Sequence, residues 1–173
     1  MSLNAFKLYN SLLASLDSYV SRLYDKYSDQ IKCCRGCSSC CIIESVFPIE
    51  AWNIYLKIKG EPSLLNEIDR KPDQCIFLKD DACLIYDVRP VICRSHGYPI
   101  FIEGKTDFCP LNFTDIETID SGYILNLEAL NRGLAAANLF FLQEKSAEFF
   151  NQERIRFDDL LEYAGKEFSR GRG

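Results

Sequence analysis

The chain has 173 residues, 47% hydrophobic and 26% charged, with a formal net charge of -5. That length suits one domain whose apolar core buries about 70% of the unfolded surface, and the ordinary charge content excludes a disordered chain. The acidic balance, with no run of Lys or Arg, speaks against nucleic-acid binding, which relies on clustered cations.

Phe6, Tyr9, Leu12, Leu13, Leu16, Tyr19, Val20, Leu23, Tyr24, Tyr27 and Ile31 recur at spacings of three and four, which predicts an N-terminal helix over residues 1–31. Gly36, Ser38 and Ser39 then break the pattern into a loop. Pro48 suits a first helical position, the apolar repeat runs to Ile58, and Gly60 is placed to end that helix. A short helix is expected from Pro62 to about Arg70. Residues 74–78 and 83–86 read as two strands turning through Asp80-Asp81, and Arg89-Pro90 opens a turn or short helix carrying Cys93. A second hairpin is expected from Tyr98 to Cys109, turning at Glu103-Gly104-Lys105. The C-terminal third is helical over 122–168, with Tyr123, Leu127, Leu130, Leu134, Ala137, Phe141 and Leu142 on one face, before a fraying Ser-Arg-Gly-Arg-Gly tail.

The expected fold is mainly α with small β-hairpins, a single domain over 1–173. Its cysteine-rich core, residues 33–110, would be clasped by the N- and C-terminal helices. No stretch approaches the ~18 apolar residues of a membrane span, and Met1–Asn10 lacks the order of a secretory signal. A cytoplasmic location is therefore expected.

All nine cysteines lie between Cys33 and Cys109. Clustered cysteines in a reducing compartment serve metal or redox chemistry more often than disulfides, and an odd count suits a complete disulfide framework poorly. Cys34, Cys37, Cys40 and Cys41 form C-x2-C-x2-C-C, in which a tight loop with small residues can turn several thiolates toward one centre. Its turns also aim backbone N–H groups at sulfur, which tunes a bound metal. With Cys75, Cys83, Cys93 and Cys109 the ligand pool holds eight thiols, enough for two four-ligand centres or for one centre with spare redox thiols. Cys33 stands outside that pool. Adjacent Cys40 and Cys41 project differently and do not easily share a mononuclear site.

The C-x2-C-x2-C run, with a distant Cys109-Pro110, leans toward an iron–sulfur cluster, whereas zinc sites are commonly built from paired C-x2-4-C elements. His96, at C-x2-H spacing from Cys93, is a further zinc-ligand candidate, although such a histidine more often only hydrogen-bonds in its loop. Arg89 and Arg94 flank Cys93 and could neutralise a thiolate centre or pair with Asp87 at the surface.

Cys34, Cys37, Cys40 and Cys41, followed by Cys75-Ile76-Phe77-Leu78, Cys83-Leu84-Ile85-Tyr86, Arg89-Pro90 and Cys93-Arg94, resemble the bacterial CxxCxxCC cysteine-cluster proteins. The resemblance spans about Cys34 to Cys109 and implies a zinc- or iron-chelating domain. Flagellin lysine methylases share the cysteine pattern, which implies an alternative reading as a protein-lysine methyltransferase using S-adenosylmethionine. Against that enzyme stand the missing Gly-rich nucleotide loop after a strand and the missing C-x3-C-x2-C spacing of radical enzymes. The leading expectation is a metal-binding protein with a redox, sensing or metal-handling role. A structural zinc interaction module is a further alternative. The expected partners are a metal ion and, for an interaction module, another protein.

Overall fold

The computed structural model describes residues 3–34, 36–144 and 148–170. The chain is mainly helical with small sheets, as the periodicities predict, and it divides into two compact units. Among the described residues the first unit takes 36–90, 138–144 and 148–170; the second takes 3–34 and 91–137. No helix among the described residues is long and apolar enough to cross a membrane.

The second unit is led by α1, Leu3–Tyr27, which continues as a 3-10 turn over Ser28–Gln30. Ala5, Tyr9, Leu16, Tyr19 and Leu23 are buried along one stripe of α1. Against α1 packs the short helix α3, Val91–Ser95, which carries Cys93. The predicted hairpin follows as β4, Ile100–Ile102, and β5, Lys105–Asp107, turning through Glu103 and Gly104, both at positive φ. A further strand pairs where no local pattern announced one. Leu125–Asn126 lies parallel to β4, with Ile100 opposite Leu125. The Tyr19 hydroxyl donates to the carbonyls of Pro99 (2.9 Å) and Tyr123 (3.1 Å), which ties α1 to the segments flanking these strands.

The first unit is built on α2, Pro48–Gly60, and α5, Phe157–Arg170, which pack together. Pro48 opens α2 and Gly60 is its last residue, as expected. Two side chains satisfy donors at its start: the Glu50 carboxylate accepts from Phe47 N–H at 3.1 Å, and buried Asn138 accepts from Ile49 N–H at 3.1 Å. Phe150 is fully buried and meets Trp52 edge to face at 4.9 Å between centroids. Ser45–Val46 (β1) pairs antiparallel with Ile155–Arg156, the strand leading into α5.

Several expected elements are shorter or shifted. The helix expected from Pro62 to Arg70 is a 3-10 turn over Pro62–Asn66. The strands expected over 74–78 and 83–86 reduce to β2, Leu78–Lys79, and β3, Ala82–Cys83, around Asp80 and Asp81 at φ 49 and 56. Tyr123 lies in a 3-10 turn, and the helical face begins with α4, Leu127–Glu144. Residues 171–173 of the expected fraying tail lie outside the described residues, while Ser169 and Arg170 belong to α5.

Candidate metal centre

The nine cysteines distribute over both units: Cys37, Cys40, Cys41, Cys75 and Cys83 in the first, Cys33, Cys34, Cys93 and Cys109 in the second. All are partly buried except Cys34, which is exposed.

In the first unit, local backbone geometry draws the motif loop onto the Cys75–Cys83 hairpin. The loop tightens through Cys41 N–H to Ser38 O at 2.9 Å and Ile42 N–H to Cys40 O at 3.0 Å. Cys75 N–H donates to Cys41 O at 2.6 Å, and the Ser38 hydroxyl donates to Asp81 at the hairpin tip, also at 2.6 Å. These bonds hold the loop against the hairpin. Cys75 sits in a turn closed by Leu78 N–H to Cys75 O at 2.9 Å, and past Cys83 the chain turns toward the 3-10 segment Tyr86–Val88.

Both turns point a backbone N–H back at a sulfur. Phe77 N–H hydrogen-bonds the Cys75 sulfur and Ile85 N–H the Cys83 sulfur, each from two residues downstream. Such donors stabilise a thiolate over a thiol and orient it for a metal. The charges of these cysteines act on one another. Burial pushes the Cys75 thiol up to about 11, with the Phe77 N–H opposing and the Cys83 and Cys41 charges adding. Burial also raises Cys41, and Cys83 and Cys37 raise it further, while a hydrogen bond from Cys40 and the Arg89 guanidinium oppose. Cys83 is raised by burial and by Asp87, against the pull of Ile85 N–H and Arg89. Cys41, Cys75 and Cys83 therefore share one electrostatic neighbourhood, with Cys37 at its side.

Arg89 is held over the Tyr86 ring, 3.6 Å from its centroid, and its Nε donates to Tyr86 O at 3.0 Å. Of the two arginines flanking Cys93, Arg89 is the one acting on these sulfurs. Arg94 donates to both carboxylate oxygens of Asp17, at 2.8 and 3.1 Å, and Asp87 pairs with Lys57 at 3.2 Å.

Among the described residues no three Cys, His, Asp or Glu side chains already stand at metal-holding geometry. The fit is therefore one of donor chemistry: soft sulfurs gathered on short turns, N–H groups aimed at two of them, and a guanidinium beside them. These features suit zinc or iron.

The second unit holds its cysteines differently. Cys93 lies on α3 and His96 is exposed just after it. Asn112, 1% exposed, accepts from Lys32 N–H at 2.7 Å and donates to Gly97 O at 2.7 Å and to the Cys33 sulfur at 3.3 Å. The next residue, Phe113, takes φ 57, a strained backbone for a bulky side chain, while its N–H donates to Gln30 O at 2.8 Å. The sequence sets Cys33 outside the ligand pool and gives Asn112 and Gly97 no distinguishing pattern.

Residues 33–110 match the model of the CxxCxxCC family, described as a "putative zinc- or iron-chelating domain". No curated protein and no solved structure matches the chain.

Proposed function

With residues 33–110 matching a family described by zinc or iron chelation, we propose that this chain is a metal-binding protein whose centre is formed by Cys37, Cys41, Cys75 and Cys83. The observation that carries the reading is the 2.6 Å bond from Cys75 N–H to Cys41 O, which seats the motif loop on the turn leading into the hairpin where Cys83 pairs with Leu78; the charges of Cys83 and Cys41 acting on Cys75 agree with it. Cys37 completes four sulfurs, the usual number for a closed tetrahedral site. Cys40 donates a hydrogen bond to Cys41 and supports that ligand from beside it. Arg89 offsets part of the thiolate charge. Cys34, Cys93 and Cys109 belong to the other unit and are not assigned to this centre.

Zinc would make the site a redox-silent clamp on the motif loop and hairpin. Iron, or an iron–sulfur cluster, would add electron transfer or oxidant sensing. Iron, zinc and acid-labile sulfide are therefore measured on anaerobically purified protein, together with the visible spectrum. Zinc in a colourless, air-stable protein assigns the clamp, whereas matched iron and sulfide in a brown protein assign the redox role. A protein that takes up neither metal from a defined buffer overturns the centre.

A further inference from the structure

We propose that Cys33 and Cys109 form a redox-active dithiol in the second unit, closing to a disulfide when a peroxide removes two electrons. The pair is organised around Gly97. That residue takes φ +85, and a Cβ placed on it would fall 2.9 Å from the Cys33 sulfur and 3.5 Å from the Cys109 Cβ. The two cysteines thus border one small space, which the bare glycine leaves clear.

Hydrogen bonds hold each wall of that space. Cys109 N–H donates to Gly97 O at 3.3 Å, and Asn112 N–H donates to Cys109 O at 2.9 Å. The buried Asn112 amide reaches both the Gly97 carbonyl and the Cys33 sulfur, so one side chain fixes the glycine and one thiol together. The Cys33 carbonyl accepts from the Tyr24 hydroxyl at 3.0 Å, which anchors its backbone to α1. Both residues are partly exposed, as attack by a small oxidant requires. Disulfides in reducing compartments are transient and redox-sensing, the role this pair would fill.

The chemistry balances with hydrogen peroxide as the oxidant. The Cys33 sulfur attacks one peroxide oxygen; the S–O bond forms, the O–O bond breaks, and the departing hydroxide leaves as water with the thiol proton. The Cys109 sulfur then attacks the Cys33 sulfenic sulfur; the S–S bond forms, the S–O bond breaks, and a second water leaves with the Cys109 proton. Two thiols and one peroxide become one disulfide and two waters. A dithiol reductant reverses it.

The test treats the reduced full-length protein with an equivalent of hydrogen peroxide, blocks remaining thiols with N-ethylmaleimide, and maps linked peptides by mass spectrometry. The expected result is a Cys33–Cys109 linkage as the main product, removed by dithiothreitol, absent from Cys33→Ser and Cys109→Ser, and retained in Cys34→Ser. Gly97→Ala, which pushes a methyl against the Cys33 sulfur, should lower the linked fraction several-fold. Finding Cys33 and Cys109 both alkylated in the wild type, or linked to other cysteines, overturns the proposal. So does loss of bound metal from Cys33→Ser, which would make Cys33 a ligand. The metal centre stands or falls separately: a protein that links Cys33 to Cys109 but binds neither zinc nor iron defeats that reading and leaves the dithiol in place.

Discussion

The backbone N–H of Cys75 donates to the backbone carbonyl of Cys41 at 2.6 Å, so two cysteines far apart in sequence are joined by main chain before any metal is considered. The bond seats the motif loop on the turn that carries Cys75. A loop held this way presents its sulfurs to a hairpin whose own sulfurs already receive N–H donors. The order of importance among the side chains follows from that arrangement.

Cys83→Ser should abolish stoichiometric metal binding, because the Cys83 charge acts on both Cys41 and Cys75. Arg89→Gln should weaken binding by about 10–100-fold, the usual loss when a group tuning the ligands is removed. Competition against a chromophoric chelator measures both. Equal affinity for Arg89→Gln and wild type would remove Arg89 from the centre.

Metal binding should slow amide exchange at Phe77 and Ile85 more than at neighbouring residues, since their N–H groups hydrogen-bond the sulfurs of Cys75 and Cys83. Thiolates fixed on an ion are stronger and better-placed acceptors than rotating thiols. Hydrogen-exchange mass spectrometry or NMR with and without a chelator checks this. Unchanged protection at both amides would place the metal elsewhere.

Asn112→Ala should destabilise the protein by about 1–3 kcal/mol, because it strips partners from the Lys32 N–H and the Gly97 carbonyl at a buried position. Urea denaturation of the reduced, metal-free protein reads the change. A loss no larger than a few tenths would mean that water replaces the amide.

Tyr19 gives a pH dependence with a defined sign. Burial raises its pKa well above the ordinary 10.0, against the opposing charge of Arg22, and its hydroxyl donates to the carbonyls of Pro99 and Tyr123. The folded protein therefore keeps a proton that the unfolded chain releases near pH 10. The stability this contributes is complete below that pH and falls as pH rises beyond it. Tyr19→Phe should show a shallower alkaline decline than wild type, with a loss of about 1–3 kcal/mol at neutral pH from the two lost hydroxyl hydrogen bonds, although the Pro99 carbonyl keeps the Leu125 N–H. Parallel declines for the two proteins would show that Tyr19 ionises normally.

The elements legible in the sequence are those whose cause is local. The buried stripe of Tyr9, Leu16 and Leu23 announces α1 because helix geometry alone brings every third or fourth residue to one face. Pro48 and Gly60 bound α2 through their own backbone preferences, and Glu103-Gly104 turns the second hairpin for the same reason. The C-x2-C-x2-C-C run marks metal chemistry without any fold, since closely spaced thiols on a tight loop have few other uses.

The rest depended on partners distant in the chain. Leu125 joins Ile100 in a parallel pair, and Ser45 joins Arg156 across most of the sequence; neither segment carries a pattern strong enough to declare a two-residue strand. The strand expected from residue 74 is cut short because the backbone around Cys75 bonds elsewhere, Cys75 N–H to Cys41 O and Leu78 N–H back to Cys75 O. Residue types and spacings thus determined the helices, the turns and the presence of a thiol-rich segment. Which thiols face one another, and that Asn112 and Gly97 frame Cys33 and Cys109, was decided by the tertiary structure, because hydrogen bonds and steric clearance between remote residues leave no period in the sequence.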